Sequence, residues 1–92
     1  MGLPVQQDSM APISVLNIAA ATVVKNGPGF VFAVGTTTGP CTLNDTNIAA
    51  GATAANLIAT TATATGVTQI NFKFNIGLLV TPAAGVASVS FE

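Results

Sequence analysis

The order of apolar and polar residues predicts short β-strands along most of the chain. The clearest strand pattern lies between Gln69 and Phe74, where apolar and polar residues alternate. This period of two places Ile70, Phe72 and Phe74 on one face of a strand. We expect that face to pack on the core and the opposite face to be in water.

The other strands are predicted from shorter apolar runs. The run Phe30–Val34 is continuously apolar, as expected for a strand that is covered on both faces. Residues 13–25 are compatible with one long strand or with two short strands and a bend. Residues 47–55 form a small-residue connection, in which a helical turn is compatible with the alanines. The remaining predicted strands are residues 41–43, 57–61, 78–81 and 86–91.

Two turns carry hairpin signals. The sequence from Lys25 to Gly29 contains Asn-Gly followed by proline, and Asn-Gly supplies the positive φ of a tight turn. A second turn at residues 82–85 predicts a closing hairpin, whose last strand directs Ala87, Val89 and Phe91 inward. Residues 36–40, in which three threonines lie between Gly35 and Gly39, predict a loop.

The strand spacing predicts the fold class. About seven short strands at roughly ten-residue intervals are typical of an all-β fold, a small antiparallel β-sandwich or barrel. Residues 1–12 contain two prolines and show no period, so we expect an extended N-terminal arm. Residues 13–92 then form a single β-sandwich domain, because 92 residues suffice for one core.

The low charge of the chain favours a subunit of a larger assembly. Charged residues make up 5% of the sequence, against about 25% in ordinary soluble domains. Such a surface repels its own copies weakly, and covering it with neighbours costs little because interface cores are poor in charge. The alternative is a soluble monomer whose hydroxyl and amide side chains keep it in solution. The charged residues are Asp8, Lys25, Asp45, Lys73 and Glu92.

Composition also disfavours two classes of partner. Two lysines and no arginine cannot form a basic patch that follows a phosphate backbone, so we expect no nucleic acid. The uncharged run 46–72 is rich in alanine, threonine and asparagine and lacks the apolar content of a spanning helix, so we expect no membrane. No basic residue precedes the first apolar stretch, as a signal peptide would require. We therefore expect assembly in a cytoplasm.

Candidate catalytic and metal-binding residues are few. The chain has no histidine, hence neither an ordinary general base nor the usual ligands of zinc. Asp45 could pair with Asp8 as two carboxylates, but its place at the end of a strand favours a turn cap. Cys41, the single cysteine, has no cationic neighbour in sequence and is expected to be a buried small hydrophobe. We predict no catalytic, cofactor-binding or metal-binding residues and no enzyme activity.

Three further motifs have structural interpretations. The sequence Asn44-Asp45-Thr46 matches the acceptor for N-glycosylation, a pattern that is common by chance. The glycines around position 29 lack the helix and lysine of a phosphate-binding loop. A chain without Trp or Tyr needs its rings for the core, so we expect core positions for Phe30, Phe32, Phe72, Phe74 and Phe91.

A layout of motifs links the chain to a known class of proteins. A short strand ends in an aspartate at Cys41–Asp45, an isoleucine-centred strand follows at Leu57–Ala59, and a Thr-Gly turn comes at Thr65–Gly66. Then come the segment Phe74–Val80 and a closing hairpin that ends in Val89–Phe91. Over about four fifths of its length the chain resembles small phage virion accessory proteins of the capsid decoration, or cement, type. The lone cysteine and the long Ala/Thr connection after Asp45 depart from that pattern.

The resemblance implies a structural virion protein on the capsid surface. Such a subunit binds and stabilises the phage head by surface contacts, and its partners are the major capsid protein and copies of itself, for example in a trimer. It transfers no functional residue, because these proteins act through surfaces. The alternative is a host-binding or carbohydrate-binding module of a tail fibre or adhesin, although sugar sites favour the Trp and Tyr that are absent here.

Overall fold

The computed structural model describes residues 12–61 and 65–92, so the predicted arm, residues 1–12, lies outside the described residues except for Pro12. Eight strands and one turn of 3₁₀ helix make up the regular structure of this part. The strands are β1 (Ile13–Ile18), β2 (Thr22–Asn26), β3 (Gly29–Thr36), β4 (Cys41–Asn44), β5 (Leu57–Thr60), β6 (Gly66–Phe74), β7 (Gly77–Pro82) and β8 (Ala87–Phe91).

The strands form two four-stranded antiparallel sheets. Sheet A has the order β1-β8-β3-β6 and sheet B the order β2-β7-β4-β5. Strand 1 pairs with 8, 2 with 7, 3 with 6 and 4 with 5. This is the pairing of a long hairpin that has been rolled up, the jelly-roll arrangement of eight-stranded double-sheet proteins. The prediction of an all-β, antiparallel fold is confirmed.

The structure has eight strands where about seven were predicted. Of the two predictions for residues 13–25, the structure takes the second: β1 ends at Ile18, a three-residue bend follows, and β2 begins at Thr22. The two strands belong to different sheets. The run of small residues at the bend thus carries the chain from one layer to the other.

Both predicted hairpins are wrong, although their turns exist. Gly27 has a φ of 117° in the turn after β2, yet β2 and β3 lie in different sheets. The same holds for β7 and β8. Of the pairs formed by consecutive strands, only β4 with β5 is hydrogen-bonded among the described residues. A local turn motif fixes a change of direction, whereas the pairing depends on strands distant in sequence.

Buried side chains from both sheets form one core. The inward positions Ala87, Val89 and Phe91 are buried as predicted, and the serines between them are half-buried. The main cluster consists of Ile18, Val31, Val34, Cys41, Leu43, Phe74, Leu78, Val80, Ala87, Val89 and Phe91. The two sheets therefore pack face to face through their apolar sides.

The prediction that all five phenylalanines lie in the core holds for two of them. Phe74 and Phe91 are buried, but Phe72 is 49% exposed because β6 is an edge strand of sheet A. Phe30 and Phe32 are half-buried, and their rings pack on each other with centroids 5.0 Å apart. The continuous apolar run of β3 predicted a strand covered on both faces. The structure shows that one face of β3 is only partly covered.

The long connection between β4 and β5 is tied to sheet B by side-chain amides. Asn44 donates to the side-chain oxygen of Asn56 at 2.8 Å and to the carbonyl of Thr53 at 3.2 Å. The predicted helical turn occurs as the 3₁₀ helix Ala54–Asn56. Asn44 pairs with Leu79 across β4 and β7, and Leu79 is fully buried outside the main core cluster. The connection therefore packs against sheet B.

Both edge strands of sheet A contain an asparagine with a positive φ. Asn17 in β1 has a φ of 58° and Asn71 in β6 a φ of 52°. The pairing register shifts at each position, as in a β-bulge, where an extra residue interrupts the ladder. Bulges in edge strands hinder pairing with a strand of another molecule.

Candidate functional site

The charged side chains of the described residues lie at one end of the two sheets. Lys25 is the second-last residue of β2, before the turn to β3, and Lys73 and Glu92 flank Phe30 across sheet A. Asp45 binds the turn between β6 and β7 at the same end. We call this the charged end. The loops at the opposite end, residues 19–21, 37–40 and 83–86, contain no ionisable side chain.

Asp45 caps a turn that is distant in sequence. Its carboxylate accepts hydrogen bonds from the main-chain N–H groups of Asn75 at 2.9 Å, Ile76 at 2.7 Å and Gly77 at 3.2 Å. Slight burial raises the pKa of this carboxyl, but the three N–H groups lower it by more, and the pKa lies below its ordinary value. Asp45 is a turn cap, as predicted, but the turn that it caps lies between β6 and β7 and not at the end of its own strand. Asp8 lies outside the described residues.

A shallow cleft at the charged end collects three of the charged side chains. Lys25, Lys73 and Glu92 line it together with Pro28, Gly29 and Phe30, and its volume is about 370 Å³. The side chains that line the cleft carry two positive charges and one negative charge. We call it the lysine cleft.

The outer face of sheet A is uncharged next to this cleft. Its cross-strand rows place Ser90 beside Ala33, and Ser88 beside Gly35. Small residues thus fill the middle of the face, while Leu16 and Val67 near its two edges are 65% and 74% exposed. A groove of about 180 Å³ runs over this surface. We call it the neutral face; it comprises Ser14, Leu16, Ala33, Gly35, Val67, Ser88 and Ser90.

Cys41 lies in the core, as predicted. Its side chain is fully buried, and burial raises the pKa of the thiol above its ordinary value, with a smaller opposing effect of a hydrogen bond from the main chain of Thr81. A thiol that stays protonated is a poor nucleophile and a poor metal ligand.

The described residues hold neither a cluster of three metal-ligating side chains nor a helix long and apolar enough to cross a membrane. The glycosylation pattern begins at Asn44, whose side chain is 2% exposed and donates to Asn56 and Thr53. A glycan cannot be attached to that side chain in the folded protein.

Comparisons with known proteins give no match: no family model fits the chain, and neither a curated protein nor a solved structure is similar to it. Sequence reasoning missed the lysine cleft, because its three charged residues are far apart in sequence. The signal available was that Lys25 and Lys73 both stand directly before a predicted turn or strand end.

Proposed function

We propose that the protein is a structural subunit of a virus particle, a decoration or cement protein that binds a phage capsid by surface contacts. The observation that carries the proposal is the neutral face. It belongs to a chain in which one residue in twenty is charged, and the charges of the described residues lie beyond it. The neutral face is thus the surface through which we propose that the protein binds the capsid.

The composition of the neutral face suits contact with another protein. Its small side chains allow a close approach of two backbones, and the exposed Leu16 and Val67 provide apolar anchors. Burial of such a surface removes no charge from water, so desolvation costs little. Each copy in a lattice would contribute a patch of about 800 Å² at many equivalent sites.

The edge strands of sheet A favour association of the subunits through the faces of their sheets and not by strand pairing at the edges. The bulges at Asn17 and Asn71 break the row of main-chain groups that a strand of another molecule would need. Copies of the chain would therefore meet through side chains, in a homo-oligomer whose subunits keep their own sheets. A trimer is one arrangement of this kind.

The strand order is compatible with this role. Jelly rolls of two four-stranded sheets recur in viral capsid proteins, and also in lectins and cupins. A fold shared by several functions supports the proposal as an analogy alone. We further propose that residues 1–12 reach over a neighbouring subunit, which adds contact area. Deletion of residues 1–12 should then lower the occupancy of capsids, and full occupancy by the truncated protein would refute this part.

A pair of matched substitutions tests the proposal. Capsids that lack the protein are mixed with purified wild type, Val67→Lys or Ile48→Lys, and occupancy is measured by electron microscopy. Val67 lies on the neutral face, whereas Ile48, 61% exposed, lies in the connection after β4. Val67→Lys should lower occupancy and Ile48→Lys should not. Equal binding of the two variants, or no binding of the wild type, would contradict the proposal.

A second candidate function is a host-binding or carbohydrate-binding module. The half-buried pair Phe30 and Phe32 on the outer side of sheet A favours it, because aromatic rings stack on sugars. Binding of the isolated protein to a glycan array, lost in Phe32→Ala, would support this function over the structural one.

A further inference from the structure

The lysine cleft brings together residues that the sequence keeps apart. Both lysines of the chain line it, and they are 48 positions apart. Elsewhere the protein has no cationic side chain. Any anionic group that the protein recognises through a side-chain cation must therefore bind here.

Strand pairing places Phe30, a lining residue of this cleft, between Glu92 and Lys73. Phe30 and Glu92 exchange two main-chain hydrogen bonds, of 3.0 and 2.9 Å. On its other side Phe30 is the register partner of Lys73 in β6. Side chains directly opposite each other in antiparallel strands share a face and lie about 5 Å apart at Cβ. The ring is therefore flanked by one carboxylate and one ammonium group.

Gly29, which lines the cleft, has no room for a side chain. A Cβ atom at Gly29 would collide with the main-chain oxygen of Glu92 and lie 2.6 Å from Cζ of Phe74. The neighbouring Pro28, together with the ring of Phe30, gives the cleft an apolar wall. An apolar wall and two lysines at one cleft suit a ligand that has an apolar group next to an anionic group.

We propose that the lysine cleft binds a carboxylate side chain of a partner protein, together with an apolar side chain beside it. The carboxylate lies between Lys25 and Lys73, and the apolar group packs on Phe30 and Pro28. The two ammonium groups of the cleft favour this ligand over a cationic one. The inference goes beyond the proposed function, because it concerns the chemistry of the ligand and holds for a partner inside or outside a virion.

The direct test uses two dipeptides that differ in one group. Isotope-labelled full-length protein is titrated with acetyl-Phe-Asp-amide and with acetyl-Phe-Asn-amide, and the main-chain amide signals are followed by NMR at low and at high salt. The aspartate peptide should shift the signals of Gly29, Phe30 and Lys73 in a saturable way, and salt should weaken the effect. Equal binding of the asparagine peptide would overturn the proposal.

Substitutions within the cleft sharpen the test. Lys25→Gln and Lys73→Gln should each weaken binding of the aspartate peptide by about fivefold, the size expected for an exposed ion pair. Lys73→Arg should keep the affinity, and Glu92→Gln should raise it because a competing negative charge is removed. Lys73 is exposed and Lys25 and Glu92 are half-buried, and the four changes should leave the unfolding midpoint unchanged. Unchanged affinity in both Lys→Gln variants would refute the proposal.

A carboxylate of the chain itself is the competing occupant. Asp8 is the only ionisable residue before Lys25, and Ile13, five positions later, pairs with Phe91 next to Glu92. The variant Asp8→Asn distinguishes the two cases. Unchanged affinity for the aspartate peptide supports a partner as the source of the carboxylate. A gain of about fivefold or more would mean that Asp8 occupies the cleft, and the partner proposal would be wrong.

Discussion

The carboxylate of Asp45 accepts a 2.7 Å hydrogen bond from the main-chain N–H of Ile76, although the two residues are 31 positions apart. This bond and its two companions fix the turn between β6 and β7 against the end of β4. A single side chain thus joins two connections at the charged end.

Removal of the Asp45 charge should destabilise the protein. Asp45→Asn keeps the shape but loses the charge-assisted bonds, and we expect a loss of about 1 kcal/mol in the free energy of unfolding, at the low end for such bonds because the site is partly exposed. Urea unfolding at neutral pH measures the difference. Asp8→Asn, the removal of another aspartate, serves as the control. Equal stability of Asp45→Asn and wild type would contradict the capping role.

The same carboxylate gives a pH dependence with a definite sign. The pKa of Asp45 is lower in the folded protein than its ordinary value of 3.8, so the stabilisation is fully present above that value. It is lost as the pH falls through the lower, folded pKa. The stability difference between wild type and Asp45→Asn should therefore shrink between about pH 5 and pH 2. A difference that stays constant over this range would be inconsistent with a lowered pKa.

The asparagines in the edge strands should tolerate glycine and reject branched residues. At Asn71, with a φ of 52°, valine should cost about 1–2 kcal/mol, because the left-handed region brings Cβ close to the following carbonyl oxygen. Asn71→Gly should be nearly neutral. The same pair of changes at Asn17 provides an independent repeat in the other edge strand. Denaturant midpoints of the four variants measure the effect, and equal values for valine and glycine would exclude backbone strain.

Gly77 is required by close contacts and should not tolerate alanine. A Cβ atom there would lie 2.7 Å from the carbonyl oxygen of Thr46 and 2.8 Å from that of Lys25. Gly77→Ala should cost at least about 2 kcal/mol, because main-chain atoms must move. Gly35→Ala is the matched control, since the nearest atom to its Cβ would be 3.7 Å away. Thermal unfolding of both variants measures the difference in their stability. Similar melting temperatures would disprove the steric argument.

Cys41 should react with thiol reagents only when the protein opens. Its thiol is buried in the core and its pKa is raised, so both access and thiolate formation are hindered. A disulfide reagent such as DTNB should label the native protein slowly and the urea-unfolded protein at once. Stabilising the fold should slow the labelling further. Immediate labelling of the native protein would show that the thiol is accessible.

The positions of the strands could be predicted from the sequence, but their partners could not. The predicted strands at residues 41–43 and 57–61 match β4 and β5 within one residue at each end, because turn residues and short apolar runs are local signals. The hairpin after Lys25 was wrong because Asn-Gly determines a turn and not the strand that lies alongside. In this fold the neighbours of a strand are set by the packing of two sheets.

Because strand partners could not be predicted from the sequence, some features of the candidate site could not be predicted either. Burial of Cys41 was expected because no cationic residue lies beside it in sequence. For Asp45 a cap was expected from the end of its own strand, but the turn that it caps is about 30 positions away. The lysine cleft exists only because β3 lies between β8 and β6, which brings Glu92 and Lys73 to either side of Phe30. The exposure of Phe72 likewise depends on β6 being an edge strand, which no alternation of residues reveals.

The place of β8 between β1 and β3 sets the order in which the protein can fold during its synthesis. Until residues 87–91 have left the ribosome, sheet A lacks the strand that joins its first strand to the rest. Until then, the apolar sides of the earlier strands are exposed to water, and such exposure promotes aggregation.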